Sequence, residues 1–214
     1  MYINSYMSKM MKIVLCFLLG GLTAEIIPEN GTMLNYTQVF FRWDQIPLAE
    51  SYTLSIHNSN GEATELISPH NSHLVTDFLD WNDTYTWFIC GFFPDGSPPF
   101  CSEIYSFNIN SLPDYFPDGI SVSNYDESLC QQGITIMDFE SLNFSGGLNK
   151  NGTPIWFVDK DGFDERFVFT QFLKNGNMVG FGPGKAYEID LDGNIVFETP
   201  DGNSVHHHVS KTSN

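Results

Sequence analysis

The stretch Ala186-Tyr-Glu-Ile-Asp-Leu-Asp-Gly-Asn-Ile-Val-Phe-Glu198 decides the fold class. Residues 186–189 and 195–198 are short runs with β-branched and aromatic side chains, which favour strands. The segment between them contains an Asp-Gly step, which tolerates positive φ and fits a tight hairpin. The stretch therefore predicts two antiparallel strands joined by a short turn, and an all-β chain.

The same arrangement recurs from residue 133 onwards. Lys150-Asn-Gly returns as Lys174-Asn-Gly, and Asp159-Lys-Asp-Gly returns as Asp190-Leu-Asp-Gly. The other strands predicted in this region are 134–139, 155–158, 167–173 and 178–181. Short strands joined by such turns, with an aromatic near each strand centre, are typical of β-propeller blades. Residues 133–214 supply about two blades and a closed propeller has about 4 to 8, so we expect a partial, truncated β-propeller.

Residues 25–111 have a different pattern, in which apolar and polar side chains alternate and turn signals come at short intervals. Tyr52, Leu54 and Ile56 point to one face of a predicted strand, and the runs 85–89 and 105–109 alternate in the same way. This pattern predicts an antiparallel β-sandwich.

The order of motifs in this sandwich is that of a known fold family. Phe41-Arg-Trp43, a proline at 47, Ser51-Tyr-Thr-Leu54 and Tyr85-Thr-Trp87 follow one another as in fibronectin type III-like domains, which the segment resembles. The resemblance implies a core in which a tryptophan of an early strand packs against a tyrosine of the next strand.

Two further segments flank these regions. Residues 1–24 contain Lys9 and Lys12, a short apolar run at 13–19 and the small residues of Leu22-Thr-Ala24, which is the layout of a secretory signal peptide. An uncleaved N-terminal anchor is the alternative. Residues 112–132 combine turn formers and acids without periodicity, which predicts a linker. The chain is expected to be secreted, periplasmic or on the cell surface.

The charge balance excludes some classes of partner. The chain has a formal net charge of −17. Such a surface repels phosphate backbones, so nucleic acid is not expected as a partner. Aromatic residues make up 15% of the chain and charged residues only 16%, which indicates a packed globular protein and not a disordered acidic tail.

The cysteines fit an exported protein. Cys90 and Cys101 flank a turn-rich segment between two strand-like runs, so we expect a disulfide that closes this hairpin. Cys130 is then left without a partner in the mature chain. Its partner is either absent from this sequence, or the thiol is buried.

The cluster His206-His-His208 is the main candidate for chemistry. Native-looking sequence follows it, so it does not read as an expression tag. Adjacent strand residues point to opposite faces, so His206 and His208 share a face while His207 faces away. Two ligands on one face do not complete a zinc site. A metal site, a catalytic or anion-binding histidine pair and a plain surface strand remain as local interpretations.

The sequence around this cluster resembles the aryl-sulfate sulfotransferase (arylsulfotransferase) family. The resemblance rests on the ordered runs Gly152-Thr-Pro-Ile-Trp156, Gln171-Phe-Leu-Lys-Asn-Gly-Asn177, Tyr187-Glu-Ile-Asp-Leu-Asp-Gly-Asn-Ile-Val-Phe197 and Val205-His-His-His-Val209. The family carries a comparable series of propeller hairpins that ends in His-His-Asp. His208 stands at the position of that aspartate.

The resemblance implies transfer of a sulfuryl group from an aryl sulfate to a phenol through a sulfated histidine, without a nucleotide sulfate donor. The paired histidines correspond to His206 and His207. The nucleophilic histidine and sulfate-binding arginine of the family lie further along than this chain extends, so we expect a partial site that is inactive as this chain. No cofactor or metal is expected.

Two other functions are kept as alternatives. A non-enzymatic secreted module for binding or adhesion is indicated by the sandwich and its aromatic turn, Phe92-Phe-Pro94. A quinoprotein-like propeller dehydrogenase is the third. Asp159, Asp161, Asp190 and Asp192 lack the spacing of a calcium loop and are interpreted as hairpin-turn residues.

Overall fold

The computed structural model describes residues 26–114, 116, 120, 122–123, 126, 128–129, 133–139, 144–159, 167–182, 184–200, 205 and 208–212. These residues form an all-β structure, as the sequence predicts. Its strands are β1 (Thr32–Leu34), β2 (Val39–Arg42), β3 (Ser51–His57), β4 (Ala63–Ser68), β5 (Ser72–Val75), β6 (Asp83–Phe92), β7 (Phe100–Cys101), β8 (Tyr105–Ile109), β9 (Thr135–Phe139), β10 (Phe144–Leu148), β11 (Pro154–Asp159), β12 (Val168–Phe172), β13 (Met178–Gly182), β14 (Lys185–Ile189) and β15 (Ile195–Glu198).

The N-terminal region, residues 26–110, contains two sheets. The larger has the order β1-β8-β6-β3-β4, with β7 paired to β6, and the smaller consists of β2 and β5. Alternate side chains of both sheets enter one core, and Phe41 of β2 meets Trp87 of β6 edge to face with ring centroids 5.1 Å apart. Trp43 packs against Tyr52 in the same geometry at 5.5 Å.

One strand pair in this region differs from the antiparallel expectation. β1 pairs with β8 in parallel, with Leu34 opposite Ile109. The two strands are far apart in sequence, so no hairpin turn imposes an antiparallel direction. Leu34 and Ile109 are both buried in the core, and this burial fixes the register.

The described residues of the C-terminal region, between 133 and 212, form two antiparallel sheets. Strands β9, β10 and β11 form a three-stranded sheet with β10 at its centre, and β12 to β15 form a four-stranded meander in chain order. The turns of the meander close with hydrogen bonds from Leu173 N to Asn177 O and from Asp190 N to Asn194 O. The turns expected at 174–177 and 190–194 are present, and Gly176 and Gly193 take positive φ, whereas residues 160–162 lie outside the described residues.

The sequence pattern did not predict β10. All five of its residues are buried, so its side chains show no alternation, and its centre is a pair of glycines. Phe116, from the segment predicted as a linker, fills the space over the first of these: a Cβ on Gly146 would lie 2.7 Å from the Phe116 ring. Phe116 is buried against Phe139 and Phe144.

The N-terminal region supplies a further strand-like segment to the C-terminal region. Tyr36 and Trp156 form an antiparallel bridge. Thr37 N donates to Ile155 O at 2.9 Å, and Phe157 N donates to Asn35 O at 3.0 Å. Residues 35–37 thus lie along the free edge of β11, and the three-stranded sheet gains a fourth member from a distant part of the chain.

Candidate functional site

The predicted histidine cluster is described only in part. His206 and His207 lie outside the described residues. His208 is exposed to solvent. The residues that follow it, Val209 to Lys211, are called the arm below, because they run beside the meander without forming a strand.

The arm is attached to β12 through polar contacts. Thr170 Oγ1 donates to the carbonyl oxygen of Val209. Lys211 N donates to Gln171 Oε1 at 2.8 Å, and Gln171 Nε2 donates to Lys211 O at 3.4 Å. The arm therefore occupies a defined position next to the sheet that carries the motifs preceding the histidines.

A groove lies between the arm and the meander. Its volume is about 420 Å³, which falls within the range of small-molecule sites. Its walls are mostly apolar, and the aliphatic and aromatic groups come from three strands and the arm. These apolar residues are Val179, Ala186, Val196, Phe197 and Val209.

Among the described residues, two charged side chains line this groove, and they are bonded to each other. The Glu188 side chain exposes 5% of its surface and that of Lys211 exposes 56%. Lys211 Nζ donates to Glu188 Oε2 at 2.5 Å, and Asn177 Nδ2 donates to Glu188 Oε1 at 2.8 Å. The hydrogen bond from Lys211, followed by that from Asn177, lowers the pKa of Glu188. The groove thus contains a buried, ionised carboxylate.

Sequence reasoning missed Glu188 as a site residue. A glutamate in a short strand next to a turn is usually exposed. The available signal was its strand position: it shares a face with Ala186, a small apolar residue two positions away. Its two polar partners lie 11 and 23 residues away, so no local motif identifies them.

A second polar arrangement joins the two regions of the chain. Asn35 N donates to Asp192 Oδ1 at 3.2 Å, and Asn110 Nδ2 donates to Asn35 Oδ1 at 2.6 Å. Trp156 Nε1 donates to Leu191 O in the same hairpin turn at 2.8 Å. These contacts, together with the pairing of residues 35–37 to β11, are called the junction below.

Burial at the junction changes two titration equilibria. Desolvation, with a smaller contribution from nearby Asp190, raises the pKa of Asp192 to about 6, although the hydrogen bond from Asn35 opposes the shift. Desolvation followed by the charges of Asp192 and Asp190 raises the pKa of Tyr36 well above its usual value. A cavity of about 120 Å³ beside Tyr36 and Trp156 is too small for most ligands.

Three of the four acids proposed as turn residues lie among the described residues. Asp190 Oδ1 accepts from the backbone N–H groups of Asp192 and Asn194, so this carboxylate closes its own turn. Asp159 is exposed at the end of β11, and Asp161 lies outside the described residues. Among the residues that the structure describes, no group of three or more His, Cys, Asp or Glu is placed to hold a metal ion.

Cys90 and Cys101 form a disulfide with an S–S distance of 2.00 Å. It joins β6 to β7 at positions that are directly opposite in the sheet. Phe92 and Phe100, at the two ends of the enclosed loop, are exposed. Cys130 and the predicted signal peptide, residues 1–24, lie outside the described residues.

The described part of the chain has no helix that could cross a membrane. No family model and no curated protein matches the chain.

Proposed function

We propose that the chain is part of an exported protein of the aryl-sulfate sulfotransferase type, with a fibronectin type III-like sandwich at 25–111 followed by β-propeller blades. Two sheets around one core, with Trp43 against Tyr52, support the sandwich. The antiparallel meander β12–β15 supports a blade, because four strands in chain order are the unit of a propeller.

One observation carries the enzymatic proposal. The two hairpin turns of the meander, at 173–177 and 190–194, are formed by the motifs of the sulfotransferase resemblance. The chain then leads to His206-His-His208. A transferring sulfuryl group needs histidine or cationic donors.

The proposed chemistry is a double displacement. A histidine nitrogen attacks the sulfur of an aryl sulfate, the bond from sulfur to the aryl oxygen breaks, and a phenolate leaves. The acceptor phenol then attacks the sulfated histidine, which restores the imidazole as the phenol loses its proton. His206 and His207 hold the sulfuryl oxygens in this scheme, and His208 replaces the aspartate that orients them in the family.

The test measures release of p-nitrophenolate from p-nitrophenyl sulfate with phenol as acceptor, and formation of phenyl sulfate by mass spectrometry. It is run on the chain as it stands and on the chain joined to the reading frame that follows it. We expect transfer by the extended protein, loss of at least 100-fold in H206A/H207A, and no change in H70A, which removes an exposed histidine of the N-terminal region.

An extended protein without transfer, or an active H206A/H207A variant, would contradict the proposal. Activity in the chain as it stands would show that its own residues complete the site, and the partial-site interpretation would then be wrong.

A binding or adhesion module is the second candidate. The observation that favours it is the disulfide-closed loop with Phe92 and Phe100 exposed at its ends, since exposed aromatic residues are enriched at recognition surfaces. The test is binding of the chain to immobilised peptides and carbohydrates, with F92S/F100S as the variant. Binding that both serines abolish, together with no sulfuryl transfer, would favour this candidate.

A further inference from the structure

The groove beside the arm combines apolar walls with one buried carboxylate. Val179, Ala186, Val196 and Phe197 form the walls. Glu188 is the only acid among the described lining residues, and Lys211 is the only base. The walls accept a ring or short alkyl body, and the ion pair determines which polar group can accompany that body.

Because Glu188 is buried, it requires a permanent donor. Removing one partner from a buried carboxylate is strongly destabilising, since the charge is left desolvated and incompletely paired. Asn177 supplies a neutral donor from the turn before β13, and the cation comes only from Lys211 among the described residues. A ligand that displaces Lys211 must therefore supply its own cationic N–H donor.

The position of Lys211 makes this displacement feasible. Its side chain is more than half exposed, and it is on the arm and not on a strand. An ammonium group that leaves Glu188 returns to water at little cost, because the lysine stem is flexible and its charge is readily hydrated. Glu188, by contrast, is fixed in the middle of β14.

We propose that the groove binds a small amphipathic cation, with an aromatic or alkyl body and a primary ammonium group that replaces Lys211 on Glu188. This site is independent of the sulfuryl-transfer proposal, because the carboxylate of Glu188 repels anions from the same position. The net charge of −17 also raises the local concentration of cations near the surface.

Lys211 acts as an internal competitor in this scheme. A tethered group has a high effective concentration, so it weakens the apparent affinity for any free amine. Replacing it with methionine keeps the stem volume and removes the charge. K211M is therefore expected to bind the amine more tightly than the wild type does, although a contact of the protein has been removed.

The test is a titration with 2-phenylethylamine, followed by chemical shifts of the β13–β15 amides, with 2-phenylethanol as the neutral control ligand. We expect weak binding of the amine to the wild type, at least 10-fold tighter binding to K211M, and no corresponding gain for the alcohol. E188Q should lower the affinity for the amine to that for the alcohol. K185M, which removes a lysine paired with Glu198 outside the groove lining, should leave both affinities unchanged.

Three results would overturn the proposal: no amine binding to K211M, equal affinity of K211M for amine and alcohol, or undiminished amine binding by E188Q. If E188Q fails to fold, the ratio of amine to alcohol affinity in K211M, compared with that in the wild type, decides the question. A sulfuryl-transfer assay does not enter this test, so failure of one proposal leaves the other intact.

Discussion

The N-terminal region is built around one large core, whereas the apolar side chains described in the C-terminal region divide between two small clusters. The core of the first includes the fully buried rings of Phe41, Trp87 and Phe107. The clusters of the second are centred on Trp156 and on Phe144, and they are completed by Tyr36 and Trp81 from the N-terminal region. From this difference we expect the first region to fold alone and the second to depend on the first for its stability.

Truncating the larger core should have the largest effect. Trp87→Ala removes a fully buried ring that packs against Phe41 and Tyr105. We expect a loss of about 4 kcal/mol in the free energy of unfolding, measured with urea. Trp87→Phe is the matched control and should lower the free energy of unfolding much less, because the indole N–H of Trp87 makes no hydrogen bond to the described residues. A small loss in the alanine variant would contradict the single-core description.

Crowding the meander should have the next largest effect. A Cβ on Gly180 would lie 2.3 Å from the carbonyl oxygen of Val168 and 2.7 Å from the ring of Phe167. Gly180→Ala should therefore cost about 3 kcal/mol, because backbone cannot move aside as a side-chain end can. Gly147→Ala is the control in β10, where the nearest atoms lie at 3.4 Å. Thermal unfolding followed by circular dichroism distinguishes the two, and equal stability would contradict the predicted clash.

Breaking the junction tests the dependence of one region on the other. Thr37→Pro removes the N–H group that donates to Ile155 O. We expect a loss of about 2 kcal/mol in the free energy of unfolding. Amide hydrogen exchange should also be faster in β9–β11 than in β3 and β6. Thr37→Ala keeps the N–H and should leave exchange in β9–β11 close to that of the wild type. Uniform exchange in both regions of the proline variant would show that the junction does not couple them.

The smallest expected effect is a pH dependence of the free energy of unfolding, which arises from Asp192 at the junction. In the folded chain the pKa of Asp192 is about 6, whereas the pKa of an aspartate in the unfolded chain is about 4. The folded state therefore binds more protons between these values, and the stability contributed by Asp192 falls as pH rises from about 4 to 6. Partial exposure limits the effect to about 1 kcal/mol.

Asp192→Asn keeps an oxygen for the N–H of Asn35 and removes the charge. The variant should be more stable than the wild type at pH 7 and should lack this fall between pH 4 and 6 in urea unfolding. Asp95→Asn, in an exposed loop, is the control and should keep the wild-type profile from pH 4 to 7. A wild-type fall that persists in Asp192→Asn would assign it to another group.

The parts of the fold that were predictable are those with a local pattern. Tyr52, Leu54 and Ile56 alternate because one face of β3 is buried, and Asp-Gly and Asn-Gly steps mark turns because their backbone geometry is a property of those residues. Strand β10 escaped prediction because both of its faces are covered, which removes the alternation. The parallel pairing of β1 and the attachment of residues 35–37 to β11 depend on contacts between distant segments, which leave no periodic trace.

The candidate site divides in the same way. The histidines were visible as a cluster, and the hairpins before them as turns. Glu188 could not be identified from the sequence, because its burial depends on the arm and on which face of the meander lies beside the arm. Asp192 was identified as a turn residue, but its contact with Asn35 spans 157 residues and could be found only in three dimensions.

The pairing of Tyr36 with Trp156 cannot form until the second of these residues has been synthesised. The two residues are 120 positions apart, and synthesis at about 5 to 20 residues per second separates their appearance by roughly 6 to 24 seconds. During this interval, the first region can complete its core while residues 35–37 wait without their partner strand. The N–H group of Thr37 and the carbonyl of Asn35 therefore have no strand partner until β11 has been synthesised.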